Sequence, residues 1–150
     1  VLNGNPIVVN GKLGSARAKD VYLEIGNNDL QNYTVTFDVV GGKHSWGGYS
    51  SNLYLTLTPD LQVKFSSADL DSRVEWFAFA DDEWNEISET RFKESETASF
   101  KVTVSGNTYT VYANGQVVSE LVYGQPRDMG APLIVQIYGD NIWLDNFSIR

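Results

Sequence analysis

The chain has no cysteine and only one histidine, His44, among its 150 residues. It therefore forms neither a disulfide nor a thiolate metal site, and a catalytic triad would have to use His44. His44 lies beside Ser45 in a glycine-rich segment, where no neighbouring residue marks Ser45 as an activated nucleophile. Thiol, disulfide and triad chemistry are therefore poor interpretations of this sequence.

Basic residues are also scarce. Lysine and arginine number 11 against 19 acidic residues, which gives a formal net charge of −8. Because phosphate groups are bound by basic patches, this charge argues against nucleic acid and anionic membranes as partners. No apolar run approaches the roughly 20 residues of a bilayer span. The apolar content of 42% is too high for a disordered chain. We expect one domain spanning residues 1–150.

The clearest local pattern is the stretch Phe100–Val118, FKVTVSGNTYTVYANGQVV. Apolar and polar residues alternate along it with the period of two that is typical of half-buried strands. Ser105-Gly106-Asn107 predicts a first turn. Asn114-Gly115 is the preferred centre of a type I′ hairpin, because both positions require a positive φ. The stretch therefore predicts three consecutive antiparallel strands.

Alternation elsewhere predicts further strands, to a total of about eleven or twelve. Gly41–Ser51 is expected to be a flexible loop. Arg73–Ala80 is apolar on both faces and is expected in the middle of a sheet. Asp81–Glu96 is acidic and is interpreted as a solvated loop. With no segment of helical period, the sequence predicts an all-β sandwich of two antiparallel sheets, a jelly roll.

Two segments carry a resemblance to a known family: the stretch just described and the closing IWLDNFSIR. Together they resemble the concanavalin A-like, laminin G-like jelly rolls that serve as extracellular modules of bacterial proteins. The resemblance implies this fold, an extracellular setting and carbohydrate binding. The same fold also serves adhesion and spacer domains, so the function depends on the site. The chain begins at Val1 with no visible signal peptide, and we interpret it as a module of a larger protein.

Asp145 is the candidate metal ligand. In a regular strand it would share a face with Trp143, Phe147 and Ile149, and an inward carboxylate must be paired. Carbohydrate-binding jelly rolls often hold a structural Ca²⁺ with an aspartate of the closing strand, which implies Asp145 here, with Glu24 as partner. Further oxygen ligands could come from Asn3, Asn5 or Asp20. Alternatively, a bulge turns Asp145 outward, or it caps backbone N–H groups.

Aromatic residues make up 13% of the chain, and this excess fits either a sandwich core or a sugar-binding platform. Trp46 and Tyr49 are the first candidates for sugar stacking, because their loop offers no guaranteed burial. Trp76, at strand parity with apolar neighbours, is assigned to the core. Trp84 either joins the platform or fixes the acidic segment to the sandwich. Three tyrosines of outward parity complete the candidates, Tyr54, Tyr112 and Tyr138, and Gln136 lies on the same predicted polar face as Tyr138.

The run EWNEISE at Glu83–Glu89 invites comparison with family 16 glycoside hydrolases, whose catalytic carboxylates alternate on one strand. The central aspartate is missing and the spacing differs, so we do not predict an enzyme. The sequence predicts a non-catalytic module of a secreted or cell-surface bacterial protein that binds a polysaccharide or oligosaccharide. The alternative is an interaction or spacer domain of a surface protein, and a glycoside hydrolase is the third hypothesis.

Overall fold

The computed structural model describes residues 2–4, 6–9, 12–15, 21–25, 32–41, 52–68, 71–93, 97–124, 133–138 and 142–150. These residues form fourteen β-strands and no helix. The described residues therefore contain no helix that could cross a membrane. The strands are β1 Leu2–Gly4, β2 Pro6–Val9, β3 Lys12–Ser15, β4 Val21–Ile25, β5 Asn32–Gly41, β6 Asn52–Thr58, β7 Leu61–Ala68, β8 Asp71–Ala80, β9 Glu83–Lys93, β10 Thr97–Ser105, β11 Thr108–Ala113, β12 Gln116–Val122, β13 Leu133–Tyr138 and β14 Ile142–Ile149.

The strands form two seven-stranded antiparallel sheets. The front sheet has the order β1-β4-β13-β6-β7-β8-β9, and the back sheet has the order β12-β11-β10-β5-β14-β3-β2. Half of the neighbouring strand pairs are consecutive in sequence, and the other half, such as β13-β6 and β5-β14, join strands that are distant in sequence, because the chain passes repeatedly between the two sheets. This arrangement confirms the predicted two-sheet sandwich.

The core lies between the sheets and is built by alternation along each strand. Leu53, Leu55 and Leu57 of β6 are buried, as are Val102 and Val104 of β10. Three rings from both sheets meet at its centre: Phe65 of the front sheet lies 5.3 Å from Phe37 and 4.7 Å from Phe100 of the back sheet, between ring centroids. Burying such rings contributes most of the free energy that holds two sheets together.

A buried hydrogen bond joins the two sheets. The indole Nε1–H of Trp76 in β8 donates to Oγ of Ser119 in β12 over 2.9 Å. Trp76 is fully buried, which confirms its assignment to the core. An unpaired indole N–H would be costly at this depth, and the hydrogen bond to Ser119 satisfies the only polar atom of the Trp76 side chain.

The predicted three-strand meander is β10–β11–β12. Asn114 and Gly115 have φ values of 51° and 82°, as a type I′ turn requires. The acidic segment, in contrast, was wrongly predicted to be a loop. Its residues from Glu83 to Lys93 form β9, the edge strand of the front sheet, and β8 lies next to that edge rather than at the centre.

A bulge in β14 reverses the predicted direction of one side chain. The register between β14 and β5 shifts between Asp145 and Ser148, and Asn146 has a φ of 51°. Leu144 is buried, and Phe147 packs against the core. Leu144 and Phe147 are three positions apart and both point inward, which requires one extra residue between them. Asp145 directly follows Leu144 and therefore points to the outer side of the back sheet. The expectation of an inward Asp145 was wrong, and the alternative of a bulge is confirmed.

Candidate functional site

The outer face of the front sheet contains a cleft of about 420 Å³, which we call the front cleft. Its lining combines aromatic rings with side-chain amides: Asn52, Tyr54, Gln62, Phe77, Trp84 and Gln136. These residues come from the five neighbouring strands β13, β6, β7, β8 and β9. With strands about 4.8 Å apart, the lining extends for roughly 19 Å across the sheet.

Strand register brings these residues together. Gln136 of β13 lies opposite Tyr54 of β6, and Gln62 of β7 lies opposite Phe77 of β8. Paired residues of antiparallel strands point to the same side. Their chain neighbours, such as Leu55 and Val63, fill the core, so the lining residues face outward.

The β8–β9 hairpin positions Trp84 at one end of the cleft. Phe79 and Trp84 are directly paired, and their rings meet edge to face at 5.3 Å. The turn residues Asp81 and Asp82 have φ values of 54° and 63°. The Asn85 amide stabilises the turn by donating to two of its carbonyl oxygens. Trp84 is 36% exposed, so part of its ring is available to a ligand.

The polar groups of this face are held by neighbouring side chains. Gln62 Nε2 donates to Thr56 Oγ1 over 3.1 Å, and both residues are buried. Lys64 Nζ lies 5.8 Å from the centroid of the Tyr54 ring and 3.9 Å from Glu75 Oε1. These contacts hold the Gln62 amide and the Lys64 ammonium in place before a ligand binds, which lowers the entropic cost of binding.

Three glutamates lie on the same outer face, beside Phe77. A hydrogen bond with Glu75 raises the pKa of Glu86, and burial and the negative charges of Glu75 and Glu89 act in the same direction. A hydrogen bond from Arg91 over 2.8 Å lowers the pKa of Glu89. The carboxyl groups of Glu75 and Glu86 are therefore in hydrogen-bonding contact. Carboxyl groups in such direct contact leave no room between them for a glycosidic bond.

Two of the residues predicted to bind sugar, Tyr54 and Trp84, both line the front cleft. Tyr112 faces outward as its parity predicts, but it belongs to the back sheet and lies on the opposite side of the sandwich. Trp46 and Tyr49 lie outside the described residues, as does the side chain of Tyr138. The predicted outer tyrosines therefore do not form one surface.

Sequence reasoning missed three lining residues: Asn52, Gln62 and Phe77. Phe77 had a usable signal, because it is an outward apolar residue of the strand with two apolar faces. That pattern indicates a covered or ligand-lined surface as well as a central strand. Asn52 and Gln62 had no distinguishing signal, since single polar residues at outward positions are common on any sheet.

The predicted metal ligands do not come together. Glu24 lies on the outer face of the front sheet, opposite Ile134 and near the Tyr22 hydroxyl. Asp145 lies on the outer face of the back sheet, where one carboxylate oxygen accepts the backbone N–H of Asn146. The body of the sandwich separates the two carboxylates, so one ion cannot bind both. Among the described residues, no group of three or more acidic or histidine side chains could hold a metal.

Comparison with known proteins places this geometry in a structural class. The sequence matches no protein-family model and no curated protein. The structure is similar to a carbohydrate-binding module from Bacillus subtilis, CBM66, with a TM-score of 0.68, 10% identity and coverage of 100% of this chain and 94% of that one. It is also similar to the exoplasmic/lumenal domain of VIP36 in its Ca²⁺/Man-bound form, with a TM-score of 0.73, 11% identity and coverage of 100% and 82%.

A third similar structure is the Caenorhabditis elegans galectin LEC-6, with a TM-score of 0.60, 15% identity and coverage of 96% of this chain and 99% of that one. At such identities the likeness concerns the fold. The chain has the concanavalin A-like jelly-roll fold, as the two sequence segments predicted. These neighbours are carbohydrate-binding modules and lectins, and what they bind is a property of those proteins.

Proposed function

We propose that the chain is a non-catalytic carbohydrate-binding module whose front cleft binds an oligosaccharide segment of a neutral glycan. The observation that carries the proposal is the front cleft, where Tyr54, Phe77 and Trp84 alternate with the amides of Gln62 and Gln136. Aromatic rings stack on the C–H faces of sugars, and amides exchange hydrogen bonds with sugar hydroxyls.

The size of the cleft supports an oligosaccharide rather than a single sugar. Its lining crosses five strands, about 19 Å, which is longer than one sugar ring. A volume of about 420 Å³ lies within the range of ligand-binding clefts. The acidic side chains beside Phe77 disfavour a strongly anionic glycan, because like charges repel at close range.

Three features support binding without catalysis. The hydrogen-bonding contact between Glu75 and Glu86 leaves these carboxyl groups too close together for either hydrolytic geometry. Glu89 is engaged by Arg91. The similar structures include a carbohydrate-binding module and lectin domains.

A secreted or cell-surface bacterial protein, with this chain as one of its domains, is the setting that we propose. The similar structures include a bacterial carbohydrate-binding module and an exoplasmic/lumenal domain. Trp46 and Tyr49 remain predicted sugar contacts, since their segment leads directly into Asn52 of the front cleft. Tyr138 also remains a predicted contact. A structural Ca²⁺ remains a prediction that can no longer combine Asp145 with Glu24.

The test is a glycan array followed by calorimetric titration of the selected oligosaccharide. Trp84→Ala should weaken binding at least about tenfold, because buried aromatic contacts dominate such interfaces. Ile87→Ala is the matched control, since Ile87 is an exposed apolar residue of the same strand that does not line the cleft. Parallel titrations in calcium and in EDTA test the ion, and Trp46→Ala and Tyr49→Ala test the loop.

Three outcomes would contradict the proposal. Binding that is unaffected by Trp84→Ala and Tyr54→Ala would exclude the front cleft as the site. Binding to no glycan on a broad array would favour the interaction or spacer domain instead. Release of reducing ends from a bound polysaccharide would show that the module is an enzyme.

A further inference from the structure

A second cleft lies on the outer face of the back sheet, on the opposite side of the sandwich from the front cleft. We call it the back cleft. Its volume is about 300 Å³, at the lower end of the range for ligand sites. Its polar lining consists of Thr36, Asp38, Ser99, Lys101, Tyr112 and Asn146, and Gly115 lies at its margin. None of these residues contributes to the front cleft.

The carboxylate of Asp38 is fixed at the back cleft by hydrogen bonds from both sides. The Ser99 hydroxyl donates to Asp38 Oδ1 over 2.7 Å, and the Asn146 amide donates to Oδ2 over 2.8 Å. Each carboxylate oxygen can accept a further hydrogen bond. Asp38 therefore presents oriented acceptors whose position costs a ligand little ordering entropy.

The bulge of β14 supplies the second of these donors. Asn146 adopts a φ of 51°, in the left-handed region, which asparagine enters more readily than most non-glycine residues. In a regular strand the residue after Asp145 would face the core. The bulge instead brings the Asn146 side chain to the outer surface, against Asp38.

Lys101 and Tyr112 form another wall of the back cleft. They are directly paired across β10 and β11, and Lys101 Nζ lies 4.0 Å from the centroid of the Tyr112 ring. Because an ammonium has three N–H donors, contact with the ring leaves it able to donate to a ligand. Gly115, at the margin, adds no side chain, and a Cβ there would meet no atom within 4 Å.

This combination fits one kind of ligand. A sugar hydroxyl can donate to Asp38 and accept from Lys101 or Asn146, while the Tyr112 ring offers an apolar surface. The Lys101 ammonium disfavours a metal cation, and the carboxylates of Asp38 and its strand neighbour Asp145 disfavour an anion. We propose that the back cleft is a second binding site, for a single neutral sugar unit. This site shares no residue with the front cleft, and the two sites together would make the chain bivalent.

The test is titration of the ¹⁵N-labelled chain with methyl glycosides of mannose, glucose, galactose and fructose, followed by amide chemical shifts. We expect one of these glycosides to give saturable shifts of the Asp38, Ser99 and Asn146 amides. The expected Kd is in the millimolar range, which corresponds to about 4 kcal/mol of binding free energy. Asp38→Asn should weaken this binding at least about tenfold, because it removes a charged acceptor. Tyr112→Leu is a second variant, and the dispersed spectrum reports that each variant is folded.

Glu120→Gln is the matched control, since Glu120 is an exposed residue of the back sheet that does not line the cleft. Trp84→Ala removes the main aromatic contact of the front cleft and should leave the back-cleft shifts unchanged. Absence of saturable shifts at Asp38, Ser99 and Asn146 with all four probes, up to about 100 mM, would overturn the proposal. Shifts that persist in both Asp38→Asn and Tyr112→Leu would also overturn it.

Discussion

Ser119→Ala should destabilise the sandwich by removing a single hydroxyl oxygen. The substitution removes the hydroxyl that accepts the Trp76 indole N–H over 2.9 Å, between strands of opposite sheets. Trp76 is fully buried and Ser119 is 7% exposed. A buried donor that loses its partner costs about 1–3 kcal/mol. For a chain of this length, 2 kcal/mol corresponds to a fall in Tm of roughly 4–8 °C.

Urea denaturation followed by circular dichroism gives the free energy of unfolding for a double-mutant cycle. Ser119→Ala should cost about 2 kcal/mol in the wild-type chain but less than about 0.5 kcal/mol in a Trp76→Phe background, because the donor is then already absent. Ser105→Ala, at an exposed position, is the control and should change stability by less than about 0.5 kcal/mol. An equal cost of Ser119→Ala in both backgrounds would refute the role of the hydrogen bond.

Three other perturbations follow from the structure. Since Glu75 raises the pKa of Glu86, the folded chain holds the proton of the Glu86 carboxyl more tightly than the unfolded chain does. The free energy of unfolding therefore falls as pH rises through this raised pKa. The Glu86→Gln variant should therefore be more stable than wild type at pH 7 but not at pH 4. An equal difference in stability between variant and wild type at both pH values would contradict the raised pKa. Gly115→Ala should cost about 1–2 kcal/mol in urea denaturation, because φ is 82°, and a neutral result would argue against the turn. Phe65→Ala should cost about 3–5 kcal/mol by the same assay, and a cost below 1 kcal/mol would contradict the central aromatic cluster.

The sandwich was predictable because its signals are local. Alternation in β10 and β11 fixes which residues enter the core, and Asn114-Gly115 specifies the turn between β11 and β12 almost alone. The β8–β9 turn was missed because Asp81-Asp82 is an unusual pair for two positive φ values. The acidic composition of the hairpin therefore indicated a loop, and Trp84 could not be placed opposite Phe79.

The candidate site depends on relations that alternation does not encode. Tyr54 and Tyr112 have the same outward parity, but only the strand order assigns them to different sheets. One extra residue at Asn146 reversed the direction predicted for Asp145. Because a shift of a single residue exchanges the two faces of a strand, the ligand set of a β-protein requires its bulges as well as its pattern.

The most direct test of the front cleft is an amide-shift map of the ¹⁵N-labelled chain with the oligosaccharide selected by the glycan array. The largest shifts should fall on Tyr54, Gln62, Phe77 and Gln136, and on both the amide and the indole N–H of Trp84. Shifts that avoid all five residues, in a chain that binds the glycan, would contradict the central claim.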